Sequence, residues 1–400
     1  MTDHSSTNHD PASPSSLVPD GRRLLRRINE MHLYVTSRCN LDCLYCSDGV
    51  KRLRGRDGQF MSLDTAQRYV DLIFLSSECD RVTVVFHGGE PTLQPVQWYR
   101  DFLSYIERMA ISHRKTVDLA MQSNCRCLPS TFLGLFREKR ISIGASLDGP
   151  PELNDLTRSK GEHVLRNILK LRDLGRLGGV ICVLTERNCR RVGEILHFFE
   201  SHGLLKVCFN VFYSVGSATV LPPLSAQQIL DTYRDTYAYL KETGGRKVVE
   251  RSVSIMLSKF VTPLNRDGLL YNLDCNSPFC HAGIKTVICD TEGNLFPCGC
   301  SDFPKFKLGS LEAIEPSGYM ETLSMLHRKS EHYDRSCLTC FANSICSFGC
   351  PAFREEDPVT ERNLCQATRD FYRFLKSEPW DVVVELTQVT REFLRSPRPT

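Results

Sequence analysis

The sequence predicts a parallel α/β fold, open or barrel-like, followed by a smaller cysteine-rich region. Three observations predict it. Six short β-branched or aromatic runs alternate with longer amphipathic stretches between residues 31 and 242. Three cysteines, Cys39, Cys43 and Cys46, crowd the segment directly after the first run. Ten of the nineteen cysteines lie from Cys275 to Cys365, where the alternation has faded into Gly-, Pro- and Asn-rich texture.

The strand candidates are HLYVTS (32–37), RVTVVFH (81–87), TVDLAMQ (116–122), ISIGASL (141–147), GVICVL (179–184) and KVCFNVFY (206–213). Helical stretches near 62–75, 95–112, 130–139, 161–174, 190–202 and 225–242 follow them in turn. Parallel α/β folds carry their chemistry in the loops after the C-terminal ends of strands, and the three-cysteine run has that address. A domain boundary is expected between 215 and 270, and the segment from Pro379 onward reads as one helix and a frayed tail.

Composition narrows the class. The chain has 400 residues, 41% apolar and 24% charged, as in an ordinary globular protein. Fifty basic and 47 acidic residues leave a net charge of +3, so no basic field calls for nucleic acid. No apolar run reaches the ~18 residues of a membrane span, and the N-terminal stretch lacks the apolar segment of a signal peptide. The expected location is the cytoplasm. In a reducing compartment nineteen cysteines point to metal or redox chemistry rather than to a disulfide frame. Cys79, Cys125, Cys127, Cys182, Cys189 and Cys208 are scattered, and several sit in apolar runs where a small buried hydrophobe is the simpler reading.

Cys39-x3-Cys43-x2-Cys46 can aim three sulfurs at one point but cannot easily close a fourth corner. Three thiolates on an iron–sulfur cubane leave one iron without a protein ligand. A zinc loop completed by a distant ligand is the alternative that spacing leaves open. The second strand ends in FHGGEP (86–91), where Gly88 and Gly89 allow close approach to the backbone and Glu90 offers a charge for an amine. The third ends in QSN (122–124) and the fourth in SLDGP (146–150), so polar residues follow four successive strands.

With these motifs in place, residues 31–213 resemble the radical S-adenosylmethionine (SAM) superfamily. The resemblance implies a partial (β/α)6 TIM-like barrel. It implies that Cys39, Cys43 and Cys46 hold a [4Fe–4S] cluster whose open iron binds SAM. Gly88, Gly89 and Glu90 would face the methionine amino group, Ser146 and Arg158 the carboxylate and ribose, and Tyr45 and Leu184 the adenine. Ser47 departs from the aromatic residue usual after the third cysteine.

The later cysteines, Cys280-x12-Gly293-x4-Cys298, then Cys337-x2-Cys340-x5-Cys346-x3-Cys350, then Cys365, resemble the small iron–sulfur extension called SPASM. With Cys275, eight thiols suffice for two auxiliary [4Fe–4S] clusters. By analogy Cys275, Cys280, Cys298 and Cys350 hold one, and Cys337, Cys340, Cys346 and Cys365 the other, with paired zinc-ribbon sites as the alternative. The implied layout is a tail over 1–28, the barrel over 29–245, the SPASM domain over 246–370, and a helix and tail over 371–400.

The resemblance implies an oxidoreductase that cleaves SAM to a 5′-deoxyadenosyl radical and oxidises a ribosomally made precursor peptide, often by crosslinking. A flavodoxin- or ferredoxin-type reductant is implied. With only 28 residues ahead of the barrel, leader recognition falls to the barrel, the SPASM region or a separate protein. Three alternatives stand beside this reading: anaerobic sulfatase maturation to formylglycine, small-molecule dehydrogenation, and a non-enzymatic iron–sulfur carrier. Formylglycine formation in that family uses an acidic residue directly after the cysteine of Gly-x4-Cys. Gly299 occupies that position here, leaving Asp302 or Cys300 to substitute. A carrier has no use for the GGE and SLDGP endings.

Overall fold

The computed structural model describes residues 20–46, 58–215, 220–262, 280–299, 304–327, 335–346 and 349–395. The strand candidates fall where their alternation places them: β1 (Glu30–Thr36), β2 (Arg81–Gly88), β3 (Thr116–Ser123), β4 (Ser142–Ser146), β5 (Leu177–Leu184) and β6 (Lys206–Val211). Each pairs in parallel with the next, and β7 (Val249–Glu250) continues the series beside β6. Sequential neighbours in parallel register, joined by helical crossovers, give the singly wound order of a barrel left open at one edge.

The crossovers are α1 (Leu63–Ser76), α2 (Val96–Ser112), α3 (Ser130–Glu138), α4 (Pro151–Asn154) with α5 (Gly161–Asp173), and α6 (Val192–Ser201); α7 (Ala226–Glu242) follows β6. Their starts are written locally. Ser62 accepts from the Thr65 N–H, and Ser225 with Gln228 forms a capping box. On β1 the buried side chains Met31, Leu33 and Val35 alternate with half-buried His32 and Tyr34. One strand face therefore packs on the helices while the other lines an interior that side chains do not fill.

β8 (Thr286–Cys289) pairs in parallel with β1, Glu30 opposite Thr286, and β9 (Asn294–Phe296) and β10 (Gly309–Ser310) continue antiparallel. The described residues thus form one ten-stranded sheet in the order β10-β9-β8-β1-β2-β3-β4-β5-β6-β7. The cysteine-rich region is grafted onto the first strand of the barrel, which the sequence did not reveal. It also holds more helix than its texture suggested: α8 (Arg251–Val261), α9 (Pro316–His327), three short helices α10 (Arg335–Leu338), α11 (Asn343–Cys346) and α12 (Pro351–Glu356), then α13 (Pro358–Ser377) and α14 (Trp380–Arg395). α13 packs along α7 and α14 along α8.

One large apolar core serves the sheet and its helices. A satellite core of only Ala282, Phe306, Leu326 and Ala352 lies in the C-terminal region, and Cys280, Cys298 and Cys350 pack against it. No described helix is long and apolar enough to cross a membrane.

Candidate active site

The three-cysteine loop leaves β1 and is held by the two strand ends beside it. The Gly89 N–H donates to Thr36 O at 2.8 Å, and the Glu90 N–H to Arg38 O at 2.8 Å. A β-carbon on Gly88 would stand 2.3 Å from Thr36 O, and one on Gly89 2.1 Å from Arg38 O. The glycines are therefore needed first for contact between two protein loops, with Gly88 also at φ +119°. From the far side, Leu44 N–H donates to Thr157 O at 3.0 Å.

Cys39, Cys43 and Cys46 line a cavity of about 700 Å³, together with Gly88, Gly89 and Ser146. Tyr45, Arg158 and Leu184 also line it. Burial pushes the Cys43 thiol up to about 11, against the pull of Arg158, so loading a metal there means expelling a proton. Tyr45 Oη donates to Asp148 Oδ2 at 2.6 Å and accepts from Arg158 Nη1 at 2.7 Å. Asp148 is fully buried and also accepts from Thr157 Oγ1 at 3.0 Å and the Val183 N–H at 2.9 Å. Burial raises its carboxyl above the usual range, with Arg158 opposing.

Arg158 is 8% exposed, and its buried Nε has no hydrogen-bond partner in the protein. A buried guanidinium lining a cavity suits an anionic ligand group.

Glu90 departs from its expected place. It does not line the cavity with Gly88 and Gly89, and its carboxylate is 0% exposed. Oε1 accepts from the Thr92 N–H (3.0 Å), Thr92 Oγ1 (2.6 Å) and Ser123 Oγ (2.9 Å), and Oε2 from the Asn124 N–H (2.7 Å). These four donors turn the carboxylate into the protein, where it ties the β2 end to the β3 end instead of offering its charge to an amine.

The same cavity is also lined by Cys337, Cys340, Cys346, Cys350 and Cys365, and by Gly299. Burial, then Cys337 and Cys340, raise the Cys365 thiol, with Arg369 opposing, so these groups are close neighbours. Cys280, Cys298 and Cys350 come together at the satellite core. Cys275, the proposed fourth member of that set, lies outside the described residues, as do Cys300 and Asp302. Among the described residues no three His, Cys, Asp or Glu side chains close to the spacing of a single-ion site. A four-iron cubane is larger than one ion and spreads its thiolates farther apart.

Sequence reasoning missed Asp148 as the hub beneath Tyr45, although it stands within the quoted SLDGP. It also missed Glu361, 6% exposed in the cavity wall and bonded by Tyr213 Oη at 2.7 Å. No local signal links two residues 148 positions apart.

Residues 33–199 match the radical SAM superfamily, so the chain carries a radical SAM domain, whose members use a [4Fe–4S] cluster and SAM. An uncharacterized protein of Synechocystis sp. is 30% identical over 272 residues, 65% of each chain. The chain thus spans just under two thirds of that relative. A cysteine-type anaerobic sulfatase-maturating enzyme of Clostridium novyi is 24% identical over 84% of this chain and 92% of its own.

Among solved structures, native anSMEcpe with bound AdoMet and Cp18Cys peptide superposes with a TM-score of 0.71 at 17% identity, covering 91% of this chain and 99% of that one. Streptococcus suis SuiB bound to precursor peptide SuiA gives 0.56 at 13% identity, covering 84% and 74%. Both likenesses are of fold. Three soft thiols on one loop, two glycines and a buried guanidinium in one cavity fit the cofactor pair of the superfamily.

Proposed function

We propose that this chain is a radical SAM oxidoreductase that modifies a ribosomally made peptide, with a crosslink as the product. Bound together, a [4Fe–4S] cluster and SAM would supply one-electron cleavage of the sulfonium and a hydrogen-abstracting 5′-deoxyadenosyl radical. Cys39, Cys43 and Cys46 would hold that cluster, while Arg158, steadied by Tyr45 and Asp148, would orient SAM through its carboxylate or ribose.

The observation that carries the reading is that three thiols of the N-terminal loop and five of the C-terminal region line the same cavity. A substrate between them would lie between a radical source and an electron acceptor. Phe209, Phe212, Tyr213 and Met256 line the same cavity and would exclude water from the reacting carbon. Cys337, Cys340, Cys346 and Cys365 would hold one auxiliary cluster, and Cys280, Cys298 and Cys350 with Cys275 the other. In this reading the barrel spans 29–245 and the SPASM domain 246–370. A flavodoxin- or ferredoxin-type protein serves as reductant, and a separate protein can present the leader.

Sulfatase maturation is the second reading, favoured by the Clostridium novyi relative, which aligns over nearly its whole length. Gly299 counts against it, because no carboxylate stands at that position. The test is anaerobic incubation of the reconstituted protein with SAM, dithionite and either of two peptides. One is any short peptide found to be encoded beside the gene, and the other derives from a sulfatase. A neighbouring peptide that loses two hydrogens with release of 5′-deoxyadenosine supports the proposal. Formylglycine on the sulfatase peptide, with the neighbouring peptide untouched, would replace it.

A further inference from the structure

The end of β3 grips the three-cysteine loop through one side chain. Asn124 is 7% exposed and lines the cavity. Its Oδ1 accepts from the Arg126 N–H at 2.8 Å, and its own backbone N–H is held by Glu90 Oε2 at 2.7 Å. The bond from Arg126 fixes which end of the amide faces the loop. Nδ2 then spends one hydrogen on Asn40 Oδ1 at 2.8 Å and directs the other at Cys39 Sγ, 3.7 Å away. That separation is ordinary for an N–H donor and sulfur. Both ends of the amide are therefore committed, and it cannot rotate without losing a bond.

We infer that Asn124 sets the reduction potential of the cluster bound by Cys39, Cys43 and Cys46, as the N–H donor to the Cys39 sulfur. The inference rests on the cluster assignment above. A hydrogen bond to a cluster thiolate stabilises the reduced state more than the oxidised one, because the reduced state carries one more negative charge. The bond thus makes the one-electron reduction easier. Asn124 is a positioning residue: it acts through Cys39. Glu90 belongs to the same device, since its buried carboxylate holds the Asn124 backbone in place.

The test compares Asn124→Leu, which keeps the shape and removes the donor, with Asn40→Ser, which disturbs the same loop and leaves the donor. Each reconstituted full-length protein is titrated with dithionite and followed by electron paramagnetic resonance. The signal lost when Cys39, Cys43 and Cys46 are replaced together identifies the relevant cluster. Asn124→Leu should shift the midpoint of that signal to lower potential with iron content unchanged, while Asn40→Ser leaves it at the wild-type value. An unchanged midpoint in Asn124→Leu, or equal shifts in both variants, overturns the inference. So does failure of Asn124→Leu to load iron, which would make Asn124 a loop clamp and nothing more. Absence of the signal from the wild type would sink the cluster assignment itself.

Discussion

The hydroxyl of Tyr34 stands 3.2 Å from the point a β-carbon on Gly299 would occupy. Tyr34 is stacked on His87 with ring centroids 5.1 Å apart, and His87 lines the cavity. The position at which formylglycine formation calls for a carboxylate is therefore crowded by an aromatic side chain from β1. Gly299→Asp should lower the melting temperature and yield no formylglycine on a sulfatase-derived peptide. A stable Gly299→Asp variant with maturase activity would show that one substitution separates the two chemistries.

Arg158 has one Nη bonded to Tyr45 and an orphaned Nε. A charge-assisted hydrogen bond to SAM is worth about 1.5–3 kcal/mol. Arg158→Lys should therefore weaken SAM binding roughly ten- to a hundredfold without loss of iron. Equilibrium dialysis with the reconstituted protein measures this, and wild-type affinity would remove Arg158 from the SAM site.

Glu90→Gln tests a structural role. Its amide nitrogen cannot satisfy every donor now held by the carboxylate, so a cost of about 1–3 kcal/mol is expected. Burial raises the Glu90 carboxyl above its ordinary 4.5, with its hydrogen-bond donors opposing. The folded state then holds the proton more tightly than the unfolded chain, and the stability linked to it is complete below 4.5. That stability is lost as pH climbs through the raised folded value. The stability difference between wild type and Glu90→Gln, from urea titrations, should shrink over that window. A constant difference across it would refute the burial argument.

Cys340→Ala with Cys346→Ala separates the roles of the two sets of thiols that line the cavity. The variant should still release 5′-deoxyadenosine under strong reductant and should fail to yield modified peptide. Product at the wild-type rate would show that this set of thiols is dispensable.

Much of the barrel was legible because β1 to β6 alternate cleanly and end in Cys, Gly or Ser-bearing loops. β7 was not, since two residues give no period. α13 is amphipathic, with Ala367, Phe371 and Leu375 on its buried face, so its pattern was open to reading in the sequence. The pairing of β8 with β1 joins segments about 250 residues apart, and local pattern carries no trace of such a contact. At the site, residue type singled out the thiols, the glycines and Arg158, and the structure gathers them around one cavity. It misplaced the Glu90 carboxylate, because four partners from Thr92, Ser123 and Asn124 decide which way it faces.

The most direct test of the central claim is SAM turnover with iron analysis on wild type and on the variant with Cys39, Cys43 and Cys46 all replaced by Ala. The wild type, reconstituted anaerobically, should carry about twelve iron and twelve sulfide as three cubanes, and dithionite should drive release of methionine and 5′-deoxyadenosine. The triple variant should lose about four irons and all turnover. Stoichiometric zinc in place of iron with turnover retained, or undiminished turnover in the triple variant, would contradict the account.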